Sequence, residues 1–556
     1  MTEQIGKVTL DYTFYNGQDQ YSDGDIENDL LQLIMEEPDV EKILAEDDRW
    51  PVLYHFSPVR QNILEWYPFK KDASVLEIGA GCGAISGVLC RNAKHVTSVD
   101  LSKRRSLINA NRNKEYDNLT IMVGNFNDVV LKEKYDYITL IGVLEYAGYY
   151  TDDEHPFEAF LKKISGYLKE DGKLLIAIEN KFGLKYWAGS REDHTGKFFD
   201  GLEGYIDTDS KVRTFSKEAL KKIITDAGYG KAEFYYPFPD YKFPVQIFSD
   251  EYLPREDDLN IGLDTFDNTR MMLFNENRVY ANLLKEKKFE FFANSFLVEC
   301  SDCGDLGKVT YAKLPDERKE QYRILTRFTR EHTVEKKPLS KVCEQNHMRQ
   351  MLKSQSIFSK NGMNIVEYTA ENGILTCDYV HKPLLEDVIL KASEERNVSE
   401  IYRLMDLLYE EILHSSEQIA WKDNILYTLD IGIEENENLY GPILKLGFLD
   451  MNFRNAFYCD GELLWFDQEW VLEAVPAKFI LYHALIVLYF SYPQLGRFCS
   501  FEEVTDRYGM QDSIDAFQKF QKLFEQLALD DAQIIMENAF RVNGRADYIP
   551  NIKKLL

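Results

Sequence analysis

The segment V-L-E-I-G-A-G-C-G, residues 75–83, sets the architecture of the first half of this chain. Its apolar start predicts a buried strand, which ends in three glycines, Gly79, Gly81 and Gly83. Only residues without a Cβ let a backbone turn so tightly and let a ligand approach it closely. Residues 84–91 predict a helix whose first N–H groups point at that ligand. This order of strand, glycine turn and helix predicts a small-molecule site.

An acidic residue follows the glycines at a distance that suits a nucleotide. The strand predicted over residues 95–100 ends on Asp100, about twenty residues past the glycines, where a carboxylate can bind a ribose diol. Nucleotide-dependent dehydrogenases share this feature. Here, however, the glycine spacing is G-x-G-x-G rather than G-x-G-x-x-G, and the acidic Glu77 lies two residues before the first glycine.

This segment resembles motif I of the class I S-adenosylmethionine-dependent methyltransferases. The resemblance implies that Asp100 binds the ribose hydroxyls and that the glycine turn passes the amino-acid end of the cofactor. It implies that Asn125 and Phe126, which end the third predicted strand, hold the adenine. In this family the segment before motif I often folds over the cofactor, which adds Tyr54 and Arg60 to the site. Arg60 either pairs with the methionine carboxylate or forms a surface salt bridge.

The order of elements after the glycine turn predicts an α/β fold. Alternating strands and helices form a right-handed parallel sheet with its ligand at the carboxyl ends of the strands. Two later segments, residues 232–239 and 243–250, are predicted to be the reversed strands that complete the sheet. The remaining predicted strands cover residues 119–126, 135–142 and 173–180.

The insertion at residues 179–194 follows the fifth predicted strand and therefore lies over the methyl end of the cofactor. It mixes potential cations with acids, and it is either a solvated loop or a lid for an anionic or hydroxyl-rich acceptor. In the second interpretation Tyr186 and Trp187 can stack on a sugar. A hydroxyl acceptor requires a general base, for which Glu145 and His194 are the candidates. A phosphate acceptor requires only cations.

Length and composition limit the possible function classes. The chain of 556 residues is too long for one core. Its net charge of −28 disfavours nucleic acid as a main partner. Eight cysteines without a disulfide pattern predict reduced thiols and a cytoplasmic location, with peripheral association at the inner membrane face as an option. The apolar run at residues 479–492 predicts a buried helix rather than a transmembrane segment.

The second half contains one strong hairpin signal. Asp460-Gly461 lies between two short apolar runs, as a two-residue β-turn requires. The hairpin is predicted to bring together Asp450 and Asn455, which precede it, and Asp467, which follows it.

This spacing resembles the catalytic loop and metal site of protein-kinase-like phosphotransferases, especially the aminoglycoside branch. The resemblance implies that Asp450 accepts the proton of the acceptor hydroxyl. It implies that Asn455 and Asp467 hold Mg²⁺ on the phosphates of ATP, and that Lys336 forms a lysine–glutamate pair with Glu344.

Two features depart from that pattern. Residues 289–313 lack a G-x-G-x-x-G loop, and Phe448-Leu449 stands in place of the histidine and arginine before the catalytic aspartate. An inactive kinase-like fold, or another α+β domain with a polar hairpin, therefore remains open.

The predicted chain has five parts. An N-terminal extension (residues 1–45) precedes a Rossmann-like class I methyltransferase domain (46–255) and a linker with a helix (256–287). An α+β kinase-like domain (288–500) and a helical C-terminal tail (501–556) follow.

A methyltransferase followed by a kinase-like domain resembles the bifunctional kinase–methyltransferases that terminate bacterial O-antigen chains. The resemblance implies an S-adenosylmethionine-dependent methyltransferase, and also an ATP- and Mg²⁺-dependent phosphotransferase, acting on a cell-surface glycan, glycolipid or precursor. Glycosyltransferases of the same pathway are the implied partners. Two alternatives remain: a methyltransferase whose second half only binds a substrate or a partner, and a non-catalytic scaffold that positions glycosyltransferases.

Overall fold

The computed structural model of the chain describes residues 1–19, 21–255, 258–259, 273–315, 318–432 and 438–530. It divides into two compact units. The first contains Met1–Asp316 and Arg327–Glu331, and the second contains Glu317–Thr326 and His332–Asp530. Part of the predicted linker (residues 256–257 and 260–272) and the end of the predicted tail lie outside the described residues.

The first unit is built on a sheet with the order β1-β2-β5-β4-β3-β6-β7-β10-β8-β9-β11. Every pairing from β2 through β7 in that order is parallel, which confirms the predicted parallel sheet. The strands are β1 (Thr2–Ile5), β2 (Val8–Phe14), β3 (Ser74–Ile78), β4 (His95–Asp100), β5 (Leu119–Gly124), β6 (Tyr135–Ile141), β7 (Leu168–Glu179), β8 (Lys231–Phe238), β9 (Gln246–Ser249), β10 (Ser295–Ser301) and β11 (Val309–Lys313).

Helices connect these strands, and several begin at a side chain that the sequence marks as a cap. Ser102, for example, accepts a hydrogen bond from the Arg105 N–H at the start of its helix. The helices of the first unit are α1 (Ile26–Glu36), α2 (Val40–Glu46), α3 (Trp50–Phe56), α4 (Asn62–Glu65), α5 (Ser86–Asn92), α6 (Lys103–Arg112), α7 (Ala147–Tyr150), α8 (Pro156–Ser165), α9 (Leu184–Trp187), α10 (Lys217–Asp226), α11 (Glu276–Lys285) and α12 (Phe289–Phe292).

The reversed strand beside β7 is β10, not the segment at residues 232–239. β10 pairs antiparallel with both β7 and β8, so β8 runs in the same direction as the parallel strands. All seven residues of β10 are buried. The sequence assigned this strand to a second domain starting at residue 288, whereas the structure places it inside the first unit. A short buried strand carries no local signal for the strand with which it pairs.

The N-terminal residues also belong to the sheet rather than to a separate extension. β1 and β2 form a hairpin, and β2 continues the parallel sheet beside β5, with Thr9 opposite Thr120. Val8 and Leu10 are fully buried there. On the following helix, Leu30 packs in one apolar cluster with Ile108 of α6.

The second unit contains small antiparallel sheets and a helical core. β13 pairs with β15, β15 with β14, and β17 with both β16 and β20. β18 and β19 form the predicted hairpin, and its turn residues Asp460 and Gly461 have φ of 53° and 100°. The strands are β12 (Ile324–Thr329), whose residues fall in both units, β13 (Thr333–Pro338), β14 (Thr369–Glu371), β15 (Ile374–Asp378), β16 (Gln418–Ile419), β17 (Ile443–Phe448), β18 (Ala456–Cys459), β19 (Glu462–Trp465) and β20 (Val471–Pro476).

The longest apolar run forms α18 (Ala477–Ser491) in the core of this unit, as predicted, because its side chains pack against the other helices. Each helix in the described part of the chain is too short or too polar to cross a membrane. The other helices here are α13 (Lys341–Cys343), α14 (Arg349–Lys360), α15 (Leu385–Glu394), α16 (Val398–His414), α17 (Ile425–Thr428), α19 (Phe501–Arg507) and α20 (Ile514–Ala528).

Candidate functional site

The glycine turn after β3 adopts backbone angles that other residues avoid. Gly79, Gly81 and Gly83 have φ of 75°, 53° and 77°. A Cβ on Gly79 would lie 2.5 Å from Cγ2 of Val143, and one on Gly83 would lie 2.3 Å from Oδ1 of Asn109. The turn therefore excludes side chains at these positions.

Asp100 ends β4 directly beside this turn. Its carboxylate accepts hydrogen bonds from the backbone N–H of Gly81 at 2.8 Å and of Ser102 at 2.9 Å. These bonds orient the carboxylate and leave lone pairs for the hydroxyl donors of a ligand.

Glu77, on the strand before the turn, stabilises the start of the helix that follows it. It is buried and accepts hydrogen bonds of 2.6 Å from the hydroxyls of Ser86 and Ser98. Burial raises the pKa of its carboxyl to about 7. Because Ser86 begins α5, Glu77 links the strand to the helix that follows the turn.

A cavity of about 210 Å³ opens at the carboxyl ends of the parallel strands. It is far larger than the ~30 Å³ of a water molecule, so it suits a ligand. The structure brings the predicted cofactor residues of the first unit to its wall, except Gly83, which lies in the same turn. These lining residues are Tyr54, Arg60, Glu77, Gly79, Gly81, Asp100, Asn125 and Phe126.

Arg60 contributes a buried charge to this cavity. Its guanidinium stacks over the ring of Tyr54 at 4.3 Å and donates to the Tyr54 hydroxyl and to the carbonyl of Lys242. The side chain is buried, so the surface salt bridge considered above does not form. Its Nε has no hydrogen-bond partner among the described residues.

Three charged or aromatic residues that line the cavity come from segments the sequence did not assign to the site. Tyr21 and Asp23 come from the N-terminal segment, and Arg105 comes from α6. The Arg105 guanidinium lies 4.9 Å from the centre of the Tyr21 ring, and Asp23 pairs with His55 at 3.4 Å. Burial opposes ionisation of Asp23, but His55 and Arg105 lower its pKa to about 2. A loop before the first helix carries no sequence signal for this position, since only the folded sheet brings it to the cavity.

The two predicted general bases do not line the cavity themselves but lie beside two residues that do, Gly142 and Tyr146. Glu145 lies in the turn that follows Val143, and its Oε1 is 4.0 Å from Nε2 of His194. Glu179, the last residue of β7, lies 3.4 Å from the same nitrogen. The hydroxyl of Tyr146 is 3.1 Å from Nδ1 of His194. Glu179 was predicted only as the first residue of the insertion and not as a site residue.

The surroundings of these residues are buried rather than solvated. Lys242 Nζ lies 3.1 Å from Glu179 and 2.8 Å from Asp193, and Lys185 Nζ lies 2.8 Å from Asp193. Burial lowers the pKa of His194, but Glu179 outweighs it and raises the value to about 9. The insertion is thus a packed ion network, which contradicts the solvated-loop interpretation.

The two aromatic residues of the insertion differ in exposure. Trp187 is 42% exposed, whereas Tyr186 is only 3% exposed. Tyr186 is therefore not available to stack on a sugar, because almost none of its side chain is exposed.

The second unit also assembles its predicted polar residues. Lys336 on β13 forms ion pairs with Asp467 and, at 3.1 Å, with Glu469. Asp467 has a left-handed backbone with φ of 57°. The predicted pair of Lys336 with Glu344 is wrong, because Glu344 is exposed and Glu469 takes its place.

Asp450 lies beneath this cluster. Its Oδ2 accepts the backbone N–H groups of Glu469 and Trp470 at 2.7 and 2.8 Å, and the Asn455 amide donates to its backbone carbonyl. Burial and the neighbouring acids Glu469 and Asp467 raise the pKa of Asp450 to about 8.

Two more residues of this cluster, Arg318 and His347, were not predicted from the sequence. The carboxylate of Glu469 also lies 2.6 Å from the guanidinium of Arg318 and 3.4 Å from Nε2 of His347. Arg318 and His347 are far from the hairpin in sequence, so only the fold brings them to Glu469.

The first unit is similar in sequence to known methyltransferases. A family model described as "Methyltransferase domain" matches residues 54–232. An uncharacterized methyltransferase of Staphylococcus carnosus is 31% identical over 160 residues, which cover 28% of this chain and 70% of that protein. The chain belongs to the class I S-adenosylmethionine-dependent methyltransferases.

Other methyltransferases match over smaller shares. The ribosomal RNA small subunit methyltransferase A of Syntrophus aciditrophicus is 32% identical over 110 residues, 18% of this chain and 37% of that protein. A solved structure from Thermotoga maritima, described as a possible histamine N-methyltransferase, is 16% identical with a TM-score of 0.28. That comparison covers 47% of the present chain and 98% of the Thermotoga maritima chain.

Proposed function

We propose that the first unit transfers a methyl group from S-adenosylmethionine to an acceptor held beside Glu145 and His194. The main support is the Asp100 carboxylate, which two backbone N–H groups aim into a cavity next to the glycine turn. A ribose diol is the ligand group that matches such a carboxylate.

The residues of the cavity fit this cofactor. Arg60 has a buried, unpaired Nε that suits the methionine carboxylate. Asn125 and Phe126 follow β5 and receive the adenine, with the Phe126 ring braced edge-on by Phe160. The glycine turn gives the cofactor room where a Cβ would clash.

S-adenosylmethionine supplies a methyl group that its sulfonium has already activated, so the protein contributes alignment and a dry cavity. Glu145 is buried next to the cavity wall at Val143, and its carboxylate accepts the proton of the attacking group. His194 lies beside it, held by the Tyr146 hydroxyl, but its raised pKa keeps the imidazole protonated near neutral pH, so it does not accept the proton there.

Calorimetry on the full chain tests this proposal. We expect one S-adenosylmethionine per chain, and Asp100→Ala should weaken binding at least tenfold, which is about 1.4 kcal/mol. Asp117→Ala, an exposed acid of the same unit, is the matched control. A folded wild-type chain that ignores the cofactor would overturn the proposal.

We further propose that the acceptor is a hydroxyl of a glycan, a glycolipid or its precursor. Trp187 packs edge-on against Phe292, and Phe182 stacks on the half-exposed Phe291, so aromatic faces near the insertion are available to a sugar. A phosphate suits the site less well, because Lys185 and Lys242 already pair with acids. Mass spectrometry of candidate glycans tests this, since a methyl ester on phosphate and a methyl ether on a hydroxyl fragment differently.

On this proposal the enzyme works in the cytoplasm, at the inner membrane face, with glycosyltransferases of the same pathway as partners. The reduced-thiol composition supports the compartment. Co-purification with membranes of the native host, sensitive to salt, checks the peripheral association.

We propose a second activity for the second unit, phosphoryl transfer from ATP. The supporting observation is that Lys336, which lies on β13, forms an ion pair with Asp467. Asp467 follows the hairpin and has a left-handed backbone conformation. Asn455 and Asp467 would hold Mg²⁺, Lys336 would contact the phosphates, and Asp450 would accept the hydroxyl proton through Oδ1.

Titration with Mg²⁺ and ATP tests this second activity. We expect Asp467→Asn to abolish magnesium-dependent ATP binding while cofactor binding by the first unit is unchanged. Wild-type protein without ATP affinity would favour the alternative, in which this unit binds only a substrate or a partner.

A further inference from the structure

We propose that Glu145, Glu179 and His194 form a binding site for one divalent metal ion of the manganese and magnesium class, at the acceptor end of the cofactor cavity. The ion site stands on the geometry of these three residues. Its role in holding the acceptor rests on the methyl transfer proposed above.

The three side chains have the spacing of metal ligands. One ligand atom from each lies within 4.8 Å of the others. His194 Nε2 is 3.4 Å from Glu179 Oε2 and 4.0 Å from Glu145 Oε1. An ion with bonds of about 2.1 Å holds two ligand atoms at most about 4.2 Å apart. Both histidine–carboxylate pairs already lie within that limit, so small rotations of the carboxylates close the site.

The environment of Glu145 is a second observation, separate from the ligand spacing, that points to a bound cation. The side chain is fully buried, and neither carboxylate oxygen has a hydrogen-bond partner among the described residues. Its Oε1 also lies near Gly142, which lines the cavity, since a Cβ there would be 3.5 Å away. A buried carboxylate is costly unless it is paired or coordinates a metal.

The nearby lysines do not donate a hydrogen bond to Glu145 within the described part of the chain. Lys185 and Lys242 each lie 2.8 Å from Asp193, and Lys242 also lies 3.1 Å from Oε1 of Glu179, on the side away from Oε2. Glu192 is satisfied separately by backbone N–H groups and the Tyr205 hydroxyl. Glu145 and the Oε2 side of Glu179 therefore both face His194, at 4.0 and 3.4 Å from its Nε2.

Tyr146 orients the imidazole for this purpose. Nε2 lies 3.4 Å from Glu179 and would give up its proton when an ion binds, while Nδ1 can keep its own proton and donate it to the Tyr146 hydroxyl oxygen at 3.1 Å. Such a second hydrogen bond is the usual support of a metal-binding histidine. Two carboxylates and one imidazole form an oxygen–nitrogen ligand set, which suits Mn²⁺ or Mg²⁺ rather than metals that prefer thiolates.

Three protein ligands leave coordination positions free. Val143 and Tyr146, which flank Glu145 and its turn, line the cofactor cavity, so the free positions lie next to the methyl end. There the ion would hold an acceptor hydroxyl oxygen in place. Because Mn²⁺ and Mg²⁺ prefer oxygen ligands, such a site favours an acceptor that presents a hydroxyl oxygen.

Electron paramagnetic resonance with Mn²⁺ tests the site. The full chain carries Asp467→Asn, so that the proposed magnesium position of the second unit does not contribute. We expect one bound Mn²⁺ per chain, with nitrogen coupling from an imidazole in pulsed spectra. Adding Glu145→Gln should weaken binding by about 100-fold. Adding Glu203→Gln, an exposed acid beyond the insertion, should leave it unchanged.

Unchanged Mn²⁺ affinity in folded Glu145→Gln protein, or no bound Mn²⁺ in the parent, would overturn the inference. If that variant does not fold, His194→Asn decides, because loss of the nitrogen coupling supports the site and its persistence contradicts it. Cofactor calorimetry without metal is run on the same samples. If the protein binds Mn²⁺ but not the cofactor, the proposed methyl transfer is contradicted and the proposed ion site is retained.

Discussion

The Asp100 carboxylate accepts a hydrogen bond of 2.8 Å from the backbone N–H of Gly81. This contact joins the end of β4 to the middle of the glycine turn after β3. The residue proposed to bind ribose and the turn proposed to admit the cofactor are therefore one structural unit, and a change in either alters the other.

Gly79→Ala should destabilise the first unit and weaken cofactor binding. The left-handed backbone costs about 1–2 kcal/mol for a residue with a Cβ, and overlap with Val143 adds about 1–3 kcal/mol. Gly228→Ala is the control, because its φ is also positive but a Cβ there meets nothing within 4 Å. Chemical unfolding measures both variants. Equal losses in the two would contradict the steric argument, and Val143→Ala should partly restore the Gly79→Ala variant.

Glu77→Gln should change how stability depends on pH. Burial raises the pKa of Glu77 from 4.5 to about 7 in the folded chain, so the protonated form is favoured there. Its contribution is fully present below pH 4.5 and is lost as pH rises to about 7, by roughly 3 kcal/mol at most. The glutamine variant lacks this loss, so it should gain stability relative to wild type between pH 5 and pH 8.

Urea unfolding at several pH values measures this effect. Glu203→Gln, at an exposed position, should keep the wild-type slope. Parallel pH profiles for wild type and Glu77→Gln would show that Glu77 ionises normally in the folded chain.

Arg60→Met should reduce affinity for the amino-acid end of the cofactor. The buried guanidinium, stacked on Tyr54, is the proposed partner of the methionine carboxylate. We expect binding of S-adenosylhomocysteine to weaken more than tenfold (about 1.4 kcal/mol), while methylthioadenosine, which lacks the carboxylate, binds equally to both proteins. Arg91→Met removes a surface arginine paired with Glu65 and is the control. Equal weakening for both ligands would place Arg60 elsewhere in the site.

Lys336→Met should destabilise the second unit. It removes the cation that pairs with Asp467 and Glu469 and leaves buried acids with less compensation, which typically costs about 3–5 kcal/mol. Lys337→Met changes the neighbouring residue on the opposite strand face and should cost less. Thermal unfolding compares the two. The proposed phosphotransferase also predicts loss of ATP binding in the first variant, provided that it folds at the assay temperature.

The parallel sheet and the glycine turn were predictable because their signals are local. Gly79 and Gly81 are needed for backbone angles within a few residues, and Asp100 follows at the end of the next strand. The Asp460-Gly461 hairpin was predictable for the same reason, since the positive φ values of the turn depend only on these two neighbouring residues.

Other parts were mispredicted because they depend on distant partners. β10 was assigned to the wrong unit, since an apolar strand can pair with several neighbours and its sequence does not choose among them. Lys336 was paired with Glu344 by its place on the next helix, whereas the loop after the hairpin presents Glu469 instead. Tyr21 reaches the cavity only because the hairpin β1–β2 extends the sheet.

The amino-acid sequence alone determined where the backbone turns and which strands are buried, because those properties follow from missing Cβ atoms and from short apolar runs. Only the tertiary structure decided which charges meet. Glu145, Glu179 and His194 come from three segments, and their mutual distances depend on how β7 and the insertion after it pack against the turn that follows β6. Charge pairing in a buried site is a property of packing, so no local pattern encodes it.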